Sequence, residues 1–102
     1  MDFKAARDMF ESHLLVERGM SVNTGIAYVE DVDKLGGYLA DTGKGLEDVT
    51  IDDLRQLMAD MHDLGIAERS QARICAGIRS FFRFLTMEGI IRENPGMPLD
   101  SP

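Results

Sequence analysis

Apolar residues recur along this chain at spacings of three and four, and no segment alternates strictly between apolar and polar, so the pattern predicts helices and no strands. The first helix is expected from about Phe3 to Arg18, with Phe3, Ala6, Phe10 and Leu14 as its apolar stripe and Gly19 in the left-handed position that ends it. Ser21 reads as the N-cap of a second helix with Tyr28, Val32, Leu35 and Leu39 on one side, which stops near Asp41 before the turn-prone Thr42-Gly43-Lys44-Gly45. Gly36 and Gly37 inside it each cost about 1 kcal/mol relative to alanine unless close packing requires them. Thr50-Ile51-Asp52-Asp53 resembles a capping box with Asp in place of Glu. It opens a third helix with Leu54, Leu57, Met58, Met61 and Leu64 inward and Gly65 at its end. A fourth helix runs from Ala67 or Glu68 to about Glu88, stopped by Gly89. Ile90 and Ile91 are expected to dock on the core, while Pro95, Pro98 and Pro102 break any further helix, so the tail reads as the start of a linker. The fold class is all-α.

The fourth helix separates two kinds of side chain. At about 100° per residue, Arg69, Arg73, Arg79 and Arg83 fall within an arc of roughly 120°, and Ile74, Cys75, Ile78, Phe81, Phe82 and Leu85 cluster opposite. Ala72, Ala76 and Ser80 lie between the arginines and would let the helix backbone come close to a groove. Two readings fit this face. It could meet a nucleic-acid backbone, or it could be a solvated face whose arginines pair with acidic neighbours.

Composition narrows the choice. A chain of 102 residues, 44% of them apolar, suits one domain with one modest core. No stretch approaches the roughly 18 to 20 apolar residues of a membrane span, and the N-terminus lacks the pattern of a signal peptide, so a cytoplasmic location is expected. The single Cys75 lies on the apolar face of its helix and is expected to be a buried small hydrophobe. A net charge of −7 argues against nucleic acid until its distribution is considered. Between Leu46 and Gly65 one arginine stands against six acidic residues, whereas between Ile66 and Arg92 five arginines stand against Glu68 and Glu88. One helix should repel polyanions and the next could face them.

Reactive constellations are not found in the sequence. His13 and His62 have no Cys or His at ligand spacing, and the acidic residues of the third helix lack the pattern of a calcium loop, so no metal and no cofactor is expected. There is no phosphate loop, nucleophile elbow or nucleophile–base set, and Tyr28 and Tyr38 read as core or boundary residues.

A set of short motifs in order adds to this reading. Glu17-Arg18-Gly19 with Ser21 and Asn23-Thr24, Tyr28 with Asp31, Asp53-Leu54, Arg69-Ser70 with Arg73, Arg79-Ser80-Phe81-Phe82-Arg83-Phe84-Leu85 and Glu93-Asn94-Pro95 span nearly the whole chain. Together they resemble the N-terminal core-binding domain of tyrosine recombinases of the Xer and phage-integrase type. The resemblance implies a compact orthogonal bundle of four helices, SAM-like, over residues 1–92, with 93–102 beginning a linker to a C-terminal domain that would carry the catalytic Arg, Lys, His and Tyr. On that basis the chain is expected to bind double-stranded DNA without being an enzyme by itself. It would be monomeric alone and would join other recombinase subunits on the DNA.

The resemblance also implies that the second and fourth helices approach adjacent major grooves. It carries Ser21, Asn23 and Thr24 at the start of the second helix and Arg69, Ser70, Arg73, Ser80 and Arg83 on the fourth. A helix N-terminus with short polar side chains is a natural phosphate seat, and arginine can bind phosphate or read guanine. Arg79 lies at the margin of the arc and could contact DNA or pair with an acid such as Asp31. Three positions depart from the family pattern: Ala67 where a serine cap is frequent, Ile74 where a basic residue often follows Arg73, and Glu30 where a basic residue commonly precedes Asp31. Each loses a cap or a positive charge, which bears on affinity and on the DNA site read more than on the fold. The competing function is a helical protein-interaction module that assembles subunits without touching DNA, which the seven methionines and the acidic third helix would suit.

Overall fold

The computed structural model describes residues 1–99 and contains four α-helices, with no strand among the described residues. Asp100 to Pro102, and with them the helix-breaking role expected of Pro102, lie outside the described residues. Helix α1 spans Phe3–Ser12, and the Asp2 carboxylate caps it by accepting the Ala5 N–H at 2.8 Å. The helix does not continue regularly to Arg18 as expected. A π-helical turn, His13–Glu17, follows and closes with the Arg18 N–H on the His13 carbonyl at 3.0 Å. Leu14 stays in the core, while Leu15 lies against Gly25 of the next helix.

Helix α2, Val22–Thr42, is capped by Ser21, whose Oγ accepts the Thr24 N–H at 3.2 Å. It runs unbroken through Gly36 and Gly37. The Phe3 ring covers Gly36 so closely that a Cβ there would stand 2.6 Å from it, whereas Gly37 faces open space. After a short 3-10 turn, Leu46–Asp48, come α3 over Ile51–Asp63 and α4 over Glu68–Met87. Gly19, Gly43, Gly65 and Gly89 all have positive φ, as expected of the glycines that end these helices.

The expected capping box is present, and Asp53 does more than cap. Its carboxylate accepts the Thr50 N–H at 2.9 Å, both oxygens accept from the Lys44 ammonium at 2.8 and 3.0 Å, and the Tyr38 hydroxyl donates at 2.9 Å. Burial alone would push this carboxyl up, but those donors outweigh it and hold Asp53 at about 2. The group ties the start of α3 to the last turns of α2.

Residues from all four helices meet in one core, in which Phe10 and Phe81 pack edge to face at 5.3 Å. The expected inward faces are found with one exception. Leu64 is 80% exposed. It follows the last helical residue, at the cap where the chain reverses through Gly65, and Ile66 packs against the core instead. At the other end Ile91 is buried as expected. The packing continues beyond it, because Leu99 in the expected linker segment is only 3% exposed and belongs to the core cluster. Among the described residues no helix is long and apolar enough to cross a membrane.

Candidate nucleic-acid interface

Helices α2 and α4 form the most extensive helix pair, and the N-terminal part of α2 leaves a groove of about 350 Å³ against α4. Asn23, Thr24, Ala27, Tyr28 and Asp31 line it from α2, and Arg73 and Ala76 from α4. Close approach here depends on Gly77. A Cβ on it would already stand 3.4 Å from the Asp31 Cβ and 3.8 Å from the Tyr28 carbonyl, so longer side chains would separate the helices.

Asp31 is 3% exposed, and its two oxygens accept from Arg73 Nε at 2.9 Å and Nη2 at 3.0 Å. The Arg73 side chain is itself 60% exposed. A buried carboxylate therefore grips the Nε–Nη2 edge of an exposed side chain that lines the groove, and Nη1 lies outside that pairing. Asp31 hydrogen bonding raises the Arg73 pKa further, and Glu30 adds to this from the surface. The acid pairing considered for Arg79 thus falls on Arg73 instead. At about 100° per residue Arg73 lies about 40° around the helix from Gly77, where Asp31 sits, and Arg79 about 160° away.

The other candidates occupy distinct places. Ser21, Asn23 and Thr24 are exposed at the start of α2, but the Ser21 and Thr24 side chains bond each other at 2.9 Å and the Thr24 N–H is already capped. That leaves the amides of Val22 and Asn23 as the helix-end donors. Arg69 is exposed in the first turn of α4, and Ser70 and Ser80 are half-buried along it. Ala67 precedes this helix without a side-chain cap, and Ile74 points into the core at 1% exposure, so neither departure from the family pattern is offset at its own position. Arg79 is half-buried and Arg83 exposed. They line a separate concavity of about 160 Å³ with Asn94, Gly96 and Met97. Among the described residues no ion pair involves Arg69, Arg79 or Arg83.

The structure thus brings Asn23, Thr24 and Arg73 into one groove and Arg79 and Arg83 into another, while Ser21, Arg69, Ser70 and Ser80 line neither. Sequence reasoning brings Asp31 to the fourth helix only as an acid that could pair with Arg79, and does not place Tyr28 or Asn94 at these sites. The spacing of Tyr28 and Asp31 opposite a helical glycine is the available signal for two of them. Among the described residues no group of three His, Cys, Asp or Glu side chains could hold a metal ion. His13 instead packs its ring on Phe84 at 4.7 Å.

Comparison with known proteins gives this arrangement a family. Residues 8–89 match the family described as phage integrase, N-terminal SAM-like domain. The tyrosine recombinase XerD of Rhizobium meliloti strain 1021 is 34% identical over 95 residues, covering 93% of this chain and 30% of the relative. The tyrosine recombinase XerC of Roseiflexus castenholzii is 37% identical over 98 residues, with 93% and 31% covered, and that of Bacillus licheniformis 30% identical over 95 residues, with 92% and 31% covered. The chain therefore spans about three-tenths of the length of these curated relatives. No solved structure matches. The chain belongs to the phage integrase N-terminal SAM-like domain family.

Proposed function

We propose that this chain is a DNA-binding domain of a site-specific tyrosine recombinase or integrase, and that it positions duplex DNA for strand exchange carried out by a separate catalytic domain. In this reading it has no catalytic residues of its own, works beside other recombinase subunits on the DNA, and is monomeric when alone. The observation that carries the reading is the solvent face of α4. Arg69, Arg79 and Arg83 lie along it without ion pairs among the described residues, beside a groove in which Asp31 holds Arg73 outward. The unpaired arginines supply attraction to phosphates. Arg73, with its charge largely offset, supplies directed hydrogen bonds to a phosphate or a guanine edge.

The test is an NMR titration of backbone amides with a mixed-sequence duplex at low and then moderate salt. Salt-dependent shifts at the start of α2 and along Arg69 to Arg83 are expected. The folded double variant Arg69→Glu/Arg73→Glu should lose binding, and parental affinity in that variant would show the face to be wrong. A second reading, a helical module for subunit assembly without DNA contact, draws on Val16, Val22 and Leu64, which are all more than half exposed. Association through such side chains would persist as salt rises, whereas phosphate binding would not.

A further inference from the structure

Arg79 and Arg83 are separated by one helical turn, so their like charges repel in the free protein. Among the described residues no carboxylate pairs with them, and the C-terminal segment lies beside them. The approach is close: a Cβ on Gly96 would stand 3.6 Å from the Arg79 Cα, 3.5 Å from the Phe82 Cβ and 3.3 Å from Asn94 Oδ1. Asn94 Oδ1 accepts the Gly96 N–H at 2.8 Å, and Leu99 beyond it is anchored in the core. Because the Gly96 N–H requires an acceptor, the orientation of the Asn94 amide is fixed, and its Nδ2 remains as a donor. Two arginines and an asparagine thus border one small concavity in a chain whose net charge is −7.

We propose that Arg79, Arg83 and Asn94 form a seat for one backbone phosphate of duplex DNA, distinct from the contacts made around Arg73. The inference rests on the DNA-binding reading and adds to it a second anchoring point and a residue from the C-terminal segment. Spacing supports a duplex as the source of the phosphate. The midpoint of Arg69 and Arg73 precedes that of Arg79 and Arg83 by about ten residues, or about 15 Å along the helix axis. That is the scale of a major groove about 12 Å wide, so the two ends of α4 can engage backbone on opposite sides of one groove. The seat also couples DNA to the segment that leads out of the bundle, because Asn94 and Gly96 lie between the arginines and Leu99.

The experiment follows binding of a mixed-sequence duplex to the full chain as a function of salt, for the parent, Arg79→Ala, Arg83→Ala and the double variant. Each phosphate that is no longer neutralised lowers the magnitude of the slope of log K against log salt by about 0.9. A single shared seat predicts a fall of about 0.9 in the double variant. Independent engagement of two phosphates would give about 1.8, and no fall would mean that neither arginine meets a phosphate; either result overturns the seat. Asn94→Asp, which retains the oxygen that accepts from Gly96 and replaces the donor with an acceptor, should bind more weakly with its fold intact. The Asn94 side-chain amide resonance of the parent should shift on titration. An Asn94 amide that stays still while Arg69 to Arg73 respond would overturn the seat and leave the DNA reading intact. No response anywhere at low salt would overturn that reading and the seat with it.

Discussion

Replacing Asp31 with asparagine sets two electrostatic effects against each other, with opposite signs for DNA binding. Asp31 is a buried anion beneath the proposed interface, and both its oxygens hold the exposed Arg73. If the carboxylate merely repelled phosphate, its removal would help. At about 8 Å and the dielectric of water a unit charge contributes roughly 0.5 kcal/mol, so Asp31→Asn would tighten binding about twofold. If Asp31 orients the guanidinium, binding must instead immobilise a freely rotating arginine, at a cost of about 1 kcal/mol or roughly fivefold in affinity. The net expectation is binding two- to threefold weaker at low salt. The loss should approach fivefold near physiological ionic strength, where the Coulomb gain is screened and the orientational loss is not. Fluorescence anisotropy with a labelled duplex at two salt concentrations measures both values. The same substitution in an Arg73→Ala background should tighten binding about twofold, because only the repulsive effect remains. Unchanged or tighter binding by folded Asp31→Asn with Arg73 present would refute the orienting role.

Two further expectations concern the scaffold that holds this face. Asp53 has a carboxyl pKa lowered to about 2, so its contribution to stability is complete above the ordinary carboxylate range and is lost as pH falls through that range toward 2; the shift corresponds to about 2 kcal/mol. Urea unfolding between pH 7 and pH 3 should show a decline that is shallower in Asp53→Asn, itself less stable at pH 7, and equal pH dependence in the two proteins would remove Asp53 from the explanation. Gly77→Ala, whose Cβ would meet Asp31 at ordinary van der Waals distance, should be tolerated, whereas Gly77→Val should destabilise by roughly 1–3 kcal/mol by forcing α2 from α4. Parental stability of the valine variant, measured by the same unfolding, would contradict the close approach of the two helices.

Much of this architecture is legible in the sequence because it depends on local chemistry. The Thr50–Asp53 box, the Ser21 cap and the positive-φ glycines each act within a few residues, and the two faces of α4 follow from helical period alone. Features set by the meeting of distant segments are not. The π-helical turn at His13–Glu17 continues a sequence that reads as ordinary amphipathic helix. Leu64 has the period of an inward residue but falls one position beyond its helix, where Ile66 takes the place in the core. The Asp31 partner is undetermined by sequence between arginines six residues apart, because the choice depends on where α2 crosses α4, and Gly77 lies at their close approach. Asn94 reads as part of a family motif and an expected linker, yet it accepts the Gly96 N–H in the tail and lines a concavity with residues of α4.

The separation of charge bears on how such a domain could act despite a net charge of −7. An acidic protein gains little from non-specific attraction to DNA, since affinity for phosphate follows the number of phosphates that cations neutralise. With Glu47, Asp48, Asp52, Asp60 and Asp63 exposed around α3, under the proposed reading a polyanion is expected to be repelled from that side and favoured along α4. The field then selects orientation more than it supplies affinity. Weak but oriented binding suits a domain joined to a second DNA-binding unit, because linkage raises the effective concentration of each once the other is bound. Affinity of the isolated chain should therefore increase when the α3 acids are neutralised, and the gain should come with amide shifts spread beyond α4. If neutralisation strengthened binding while the same α4 amides alone responded, the acids would limit affinity without steering the approach.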